Sequence, residues 1–198
     1  MRRPLLAAGL SLLALGGCVA APPPSGAPGP VSWSASLPPD SVQGAGDPAR
    51  AALVRSAFAF NAPATYSGHP WDAARAIADV EFLAVELAGP RWVGLPLAAA
   101  QLRAARPEWR RALGIAPDAP PQAVIDTLYG ARRALLAGQP GAAAASLPAG
   151  LYTPGGAATL NRLASLPPLP LTAAAASNAE REATRAMFDS GRRGRSFR

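Results

Sequence analysis

The segment His69–Pro90, "HPWDAARAIADVEFLAVELAGP", decides the fold class. His69-Pro70 opens it as a helix start. Proline at the first helical position has its φ already set and gives up an N–H that has no partner there. Trp71 to Leu87 follow without a glycine or proline, and Gly89-Pro90 stops the run. Asp72, Asp79 and Glu86 recur every seven residues and so lie along one side of this helix. Arg75 falls three residues after Asp72 and four before Asp79, the spacings that allow ion pairs.

The same punctuation repeats outward from this segment. Upstream, Asp47-Pro48 is an N-cap followed by proline, opening "ARAALVRSAFAF". Downstream, Leu97 to Leu113 reads as a third helix with Leu102, Trp109 and Leu113 on one side, Pro107 expected to kink or split it, and Gly114 at its exit. A fourth helix follows Pro117-Asp118-Ala119-Pro120-Pro121, with a stripe of Val124, Ile125, Leu128, Ala131 and Leu135 and a glycine cap at Gly138. Gln139 to Leu147 reads as a short helix. Thr153-Pro154 is expected to open "GGAATLNRLASL", "PPLPL" to break the chain, and Thr172 to cap "AAAASNAEREATRAMF". No strand pattern competes. The expectation is an all-α fold, a small Ala-rich antiparallel bundle of five to seven helices over residues 48–189.

The first residues have a different character. Arg2 and Arg3 precede an uncharged apolar run, Leu5 to Leu15, and then Gly16 and Gly17, the three-part pattern of a secretory leader. The run is short of the roughly 20 apolar residues that a permanent span requires. Leu15-Gly16-Gly17-Cys18 resembles the lipobox of bacterial lipoproteins. That resemblance covers residues 1–18 and implies removal of 1–17, acylation of Cys18 and a membrane anchor. Gly16, two before the cysteine, stands where Ala, Ser or Thr is commoner in that family, and Gly is tolerated there. The same residues also fit an ordinary leader cut after Ala20 or Ala21, with Cys18 discarded. Val19 stands where family members retained in the inner membrane carry Asp, which implies the outer membrane, facing the periplasm. Residues 18–47 are rich in Pro, Gly, Ala and Ser and read as a disordered tether behind the lipidated cysteine.

The chain carries a formal charge of +7, and each of its 19 basic residues is arginine. Two of these, Arg2 and Arg3, belong to the leader. Four more, Arg192, Arg193, Arg195 and Arg198, sit in the segment 190–198, read as a disordered basic tail and a candidate for contact with an anionic surface. Setting those six aside leaves a body near +1 from the starting +7. Such a body, in an exported chain, argues against a nucleic-acid partner. The partners expected are the membrane, through the lipid, and an envelope protein. Cys18 is the only cysteine, so no intramolecular disulfide forms and the core must hold the domain.

Candidate chemistry is sparse. His69, the only histidine, needs a nucleophile and an orienting group to serve in a hydrolase with Asp72. Arg103, Arg106 and Arg110 form a basic stripe on the third helix, read either as a groove for an anion or as one side of an ion-pair ladder with Asp79 and its neighbours. Trp71, Phe82, Trp92 and Trp109 are candidates to line an apolar pocket for a small ligand. Gly155-Gly156 lacks the lysine and spacing of a P-loop and reads as a turn. The expectation for the mature chain is a non-enzymatic, lipid-anchored periplasmic module without catalytic, cofactor or metal residues. A small-ligand-binding lipoprotein is the alternative, and a hydrolase using His69 stands behind both.

Overall fold

Proline sets where most of the helices begin. In a computed structural model describing residues 34–42 and 44–195, with side chains described to Asp189, the helices are α1 (Pro48–Asn61), α2 (Pro70–Glu86), α3 (Pro96–Leu113), α4 (Pro121–Leu136), α5 (Pro140–Ala145), α6 (Gly156–Ala164) and α7 (Pro170–Arg195). All but α6 start on proline, whose fixed φ and missing N–H suit the first turn. Asp47 caps α1, its Oδ1 accepting from the Ala49 N–H at 3.0 Å. At the other end of α3, Gly114 takes φ +71° and Ile115 N–H returns to the Arg110 carbonyl at 2.8 Å, a glycine-terminated helix end. The described residues are all-α, and their one β-type contact is an isolated antiparallel bridge between Ile115 and Tyr152.

Helix α2 is the centre of the bundle. Every residue from Ala76 to Ala84 is buried. Nine residues make two and a half turns at about 3.6 residues per turn, so the helix is covered on all sides. It packs on α1, α3, α4 and α6, while α7 lies across α1 and α3, and α5 bridges α4 to α6. Ala73, Ala74, Ala76, Ala78 and Ala84 let the neighbouring backbones come close. Trp109, Tyr129, Leu102, Leu128 and Leu163 fill the space between. The expected α4 stripe is in place, with Val124, Ile125, Leu128 and Ala131 fully buried and Leu135 at its margin.

Four boundaries differ from expectation. Helix α3 runs unbroken through Pro107. Pro107 lies on the exposed side, and the buried Leu102, Ala105 and Trp109 hold the helix through the lost backbone bond. Helix α6 starts at Gly156 rather than at Pro154, because the Ile115–Tyr152 bridge and the bond from Thr153 N–H to the Gly114 carbonyl (2.8 Å) tie 152–153 to the α3–α4 loop, and Gly155 N–H closes a turn on the Tyr152 carbonyl (2.8 Å). Helix α7 starts two residues before Thr172. Glu108 of α3 caps it instead, accepting from Leu171 N–H (3.2 Å), Thr172 N–H (2.7 Å) and Thr172 Oγ1 (2.6 Å). The backbone of α7 continues to Arg195, past the expected domain end at 189 and into the segment read as a tail. Cations suit the negative end of a helix dipole.

The expected tether also ends sooner. Residues 34–42 lie on the bundle, with Ala35 and Leu37 packed against its core and Ser41 buried. Ser36 N–H donates to Gln122 Oε1 at 2.7 Å, and Asp40 takes two hydrogen bonds of 2.7 Å from Arg133. The leader, Cys18 and the first part of the tether lie outside the described residues, as does Arg198.

Helices α5 and α6 meet at Gly156. A Cβ on this residue would stand 1.8 Å from the Ala144 carbonyl oxygen, in rigid backbone on both sides. Gly156→Ala should therefore destabilise the domain by about 3 kcal/mol, although alanine is the better helix former. Thermal unfolding followed by circular dichroism measures this, with Gly150→Ala as the control, since a Cβ there meets nothing within 4 Å.

Candidate functional site

The buried acids of α2 are held in place by arginines from different helices. Asp79 is fully buried and accepts a two-pronged contact from Arg55 of α1, Nε to Oδ2 at 2.8 Å and Nη2 to Oδ1 at 2.9 Å. Arg55 also donates to the Ser41 carbonyl at 3.1 Å. Burial pushes the Asp79 carboxyl up, and the Arg55 guanidinium opposes that shift. Glu81, equally buried, accepts from Trp109 Nε1 at 2.7 Å and from Arg110 through both Nε (3.3 Å) and Nη2. Arg110 is itself 4% exposed, so its charge depends on this carboxylate. Its remaining donors serve the carbonyls of Ala116 (3.2 Å), Pro117 (2.8 Å) and Ala119 (2.9 Å), tying the α3–α4 loop to the core.

The ion-pair ladder expected between Asp79 and the α3 stripe is thus made by a different acid. Arg106 and Arg110 do face α2, but they meet Glu81, while Asp79 points to α1. Two residues along a helix is a turn of about 200°, so Asp79 and Glu81 occupy opposite sides. Seven-residue spacing identifies residues on one side and does not say which neighbour covers that side. Glu86 accepts from Trp92 Nε1 at 3.0 Å, and Asp72 pairs with Arg75 at 3.3 Å near the surface.

The other expected residues do not converge. His69 is exposed, its Nδ1 3.3 Å from the Thr65 carbonyl oxygen and its ring tilted against Trp71 at 5.2 Å. Asp72 lines a 170 Å³ cavity between α1 and α2 with Arg55, Tyr66, Arg75 and Asp79, and His69 is not part of that lining. The four aromatic candidates are scattered. Trp71 stands at the start of α2 and Trp92 is bonded to its last residue, roughly 22 Å along the axis at 1.5 Å per residue. Trp109 and Phe82 are packed in the core. Among the described residues no three His, Asp or Glu groups come together to hold a metal ion, and no helix is long and apolar enough to cross a membrane. The side chains of Arg192, Arg193 and Arg195 lie outside the described residues.

The most distinctive surface feature is a cleft of about 390 Å³ beside α3. Arg103, Arg106, Arg110 and Arg111 line it on one side, and Ile115 and Pro117 of the following loop on the other. Arg106 Nε forms an ion pair with Glu81 Oε1 at 3.4 Å, and neither its buried Nε nor its buried Nη2 makes a hydrogen bond among the described residues. Burial, with Arg110 and Arg103 close by, weakens the hold of Arg106 on its proton. Arg103 and Arg111 are exposed at the mouth and pair with no carboxylate among the described residues. Comparisons with family models, curated proteins and solved structures returned no match.

Two outcomes follow from these contacts. Glu81→Leu leaves Arg110 charged and buried and should cost about 3–5 kcal/mol. Adding Arg110→Met should cost less than the sum of the two single changes, with a coupling of about 2 kcal/mol in urea unfolding; additive costs would mean that the pair does not act as a unit. The second outcome concerns pH. The hydrogen bonds from Arg133 hold the Asp40 carboxyl below its ordinary 3.8. The folded-state value is depressed, so the contribution is complete above 3.8 and is lost as pH falls through the lower folded value. Protection of the Ser36 and Ser41 amides, relative to intrinsic exchange, should fall below that pH, and Arg133→Gln should show the same loss of protection at neutral pH.

Proposed function

We infer that this protein is a lipid-anchored module of the bacterial cell envelope, attached through Cys18 to the outer membrane and facing the periplasm, and that it works by binding rather than by catalysis. The observation that carries the anchor is Leu15-Gly16-Gly17-Cys18 at the junction between an apolar leader and a Pro-rich run. Two or more acyl chains make such an anchor stable, where a single chain holds only marginally. In favour of binding is the use made of the buried acids. Asp79 and Glu81 are engaged by Arg55, Arg110 and Trp109, so their lone pairs serve the fold. A protein partner in the envelope is the first reading. The second, a small-ligand lipoprotein, is favoured by the 390 Å³ cleft, whose lining is arginine rather than the aromatic set expected for it.

Growth with a labelled fatty acid tests the anchor. Wild-type chain should take up label and fractionate with the outer membrane, and Cys18→Ala should do neither. Equal label in both would overturn the reading.

A further inference from the structure

Four guanidinium groups line one small cleft, and the one carboxylate that Arg106 and Arg110 reach, Glu81, lies outside its lining. Glu81 neutralises one charge and is already occupied by Arg110 and Trp109. Arg106 lines the cleft with its side chain 19% exposed, while its buried Nε and Nη2, turned away from solvent, meet no hydrogen-bond acceptor among the described residues. Gly114 lines the cleft, and a side chain there would start 2.8 Å from both Arg162 Nη1 and Pro154 Cδ, so only glycine leaves room for those two neighbours. Apolar surface is present as well, in Pro107, Ile115 and Pro117.

We propose that this cleft binds a small phosphate-bearing molecule, with Arg103, Arg106 and Arg111 donating to the phosphate oxygens and Ile115 and Pro117 covering its organic part. Guanidinium is planar and always charged, and its paired donors match phosphate oxygens two at a time. The cleft volume falls within the range of small-molecule sites. Arg110 is excluded from the recognition set because its donors are committed to Glu81 and three loop carbonyls. Its role is to position α3 and the loop as the two walls. The phosphate is either that of a soluble molecule or that of a lipid headgroup, and the site does not depend on the anchor at Cys18.

The test is calorimetric titration of the full chain, in zwitterionic detergent micelles at low salt, with inorganic pyrophosphate. Saturable binding of one pyrophosphate per chain is expected. It should weaken about a hundredfold in Arg103→Ala/Arg111→Ala, the loss of two charge-assisted contacts. The melting temperature of that variant should not fall, since neither side chain is paired with a carboxylate among the described residues. Replacement of Arg192, Arg193, Arg195 and Arg198 by alanine should leave the affinity unchanged. Micelles doped with phosphatidylglycerol separate the two sources. Competition with pyrophosphate assigns the cleft to a lipid headgroup, and unchanged affinity assigns it to a soluble phosphate. Absence of saturable binding, or equal affinity in the Arg103/Arg111 variant, would overturn the proposal.

Discussion

A carboxylate placed in the centre of a helical bundle constrains everything around it. Glu81 is fully buried, and an unpaired charge there would be prohibitively unfavourable, so α3 must deliver Arg110 and Trp109 to it. Asp79 sets the same condition on the opposite side of α2, and α1 meets it with Arg55. The two acids thus fix the rotation of α2 and the positions of two neighbours at once. Hydrophobic contact alone would tolerate sliding between such Ala-rich surfaces. A hydrogen-bonded ion pair does not, because displacement by a few ångströms breaks the bonds while the charges stay buried.

Exclusive use of arginine suits this arrangement. A guanidinium presents five donors in a fixed plane, so Arg110 reaches one carboxylate and three carbonyls together. Those carbonyls belong to the α3–α4 loop, whose backbone is also bonded to 151–153 through Ala116 N–H and the Gly114 carbonyl. The same side chain therefore pairs the buried acid and shapes the loop wall of the arginine cleft. Glu108 works in the same way between helices, accepting from the exposed first turn of α7 and joining it to α3. Structure in this domain is held by polar contacts between helices as well as by its core.

Small residues do the complementary work. Five alanines on α2 and Gly156 on α6 bring backbones close enough to make each contact area count. Trp109 and Tyr129 fill the remaining volume. Residues 34–42 add a strap over the bundle, fastened by Asp40 to Arg133 and by Ser36 to Gln122. Their polar, proline-rich composition reads as tether, yet the strap packs because Leu37 and Ala35 find apolar surface and its polar groups find partners. Composition describes what a segment can do without partners and is silent on partners supplied by the fold.

The sequence by itself determined the helical class and most of the starts, because proline and glycine act locally. Pro48, Pro70 and Pro121 need no distant partner to begin a helix, nor does Gly138 to end one. The basic stripe of Arg103, Arg106 and Arg110 was legible in the same way, and it lines a cleft. Only the tertiary structure decided which acid those arginines meet. Glu81 carries no signal of its own, since an acid in an apolar helix reads as solvent-facing until every side of the helix is covered. The start of α7 two residues before Thr172, the turn at 152–155 before α6 and the passage of α3 through Pro107 belong to the same class. Each depends on a contact between residues far apart in the chain, namely Glu108, Gly114 and the packed side of α3, and such contacts outweigh local propensities of about 1–3 kcal/mol.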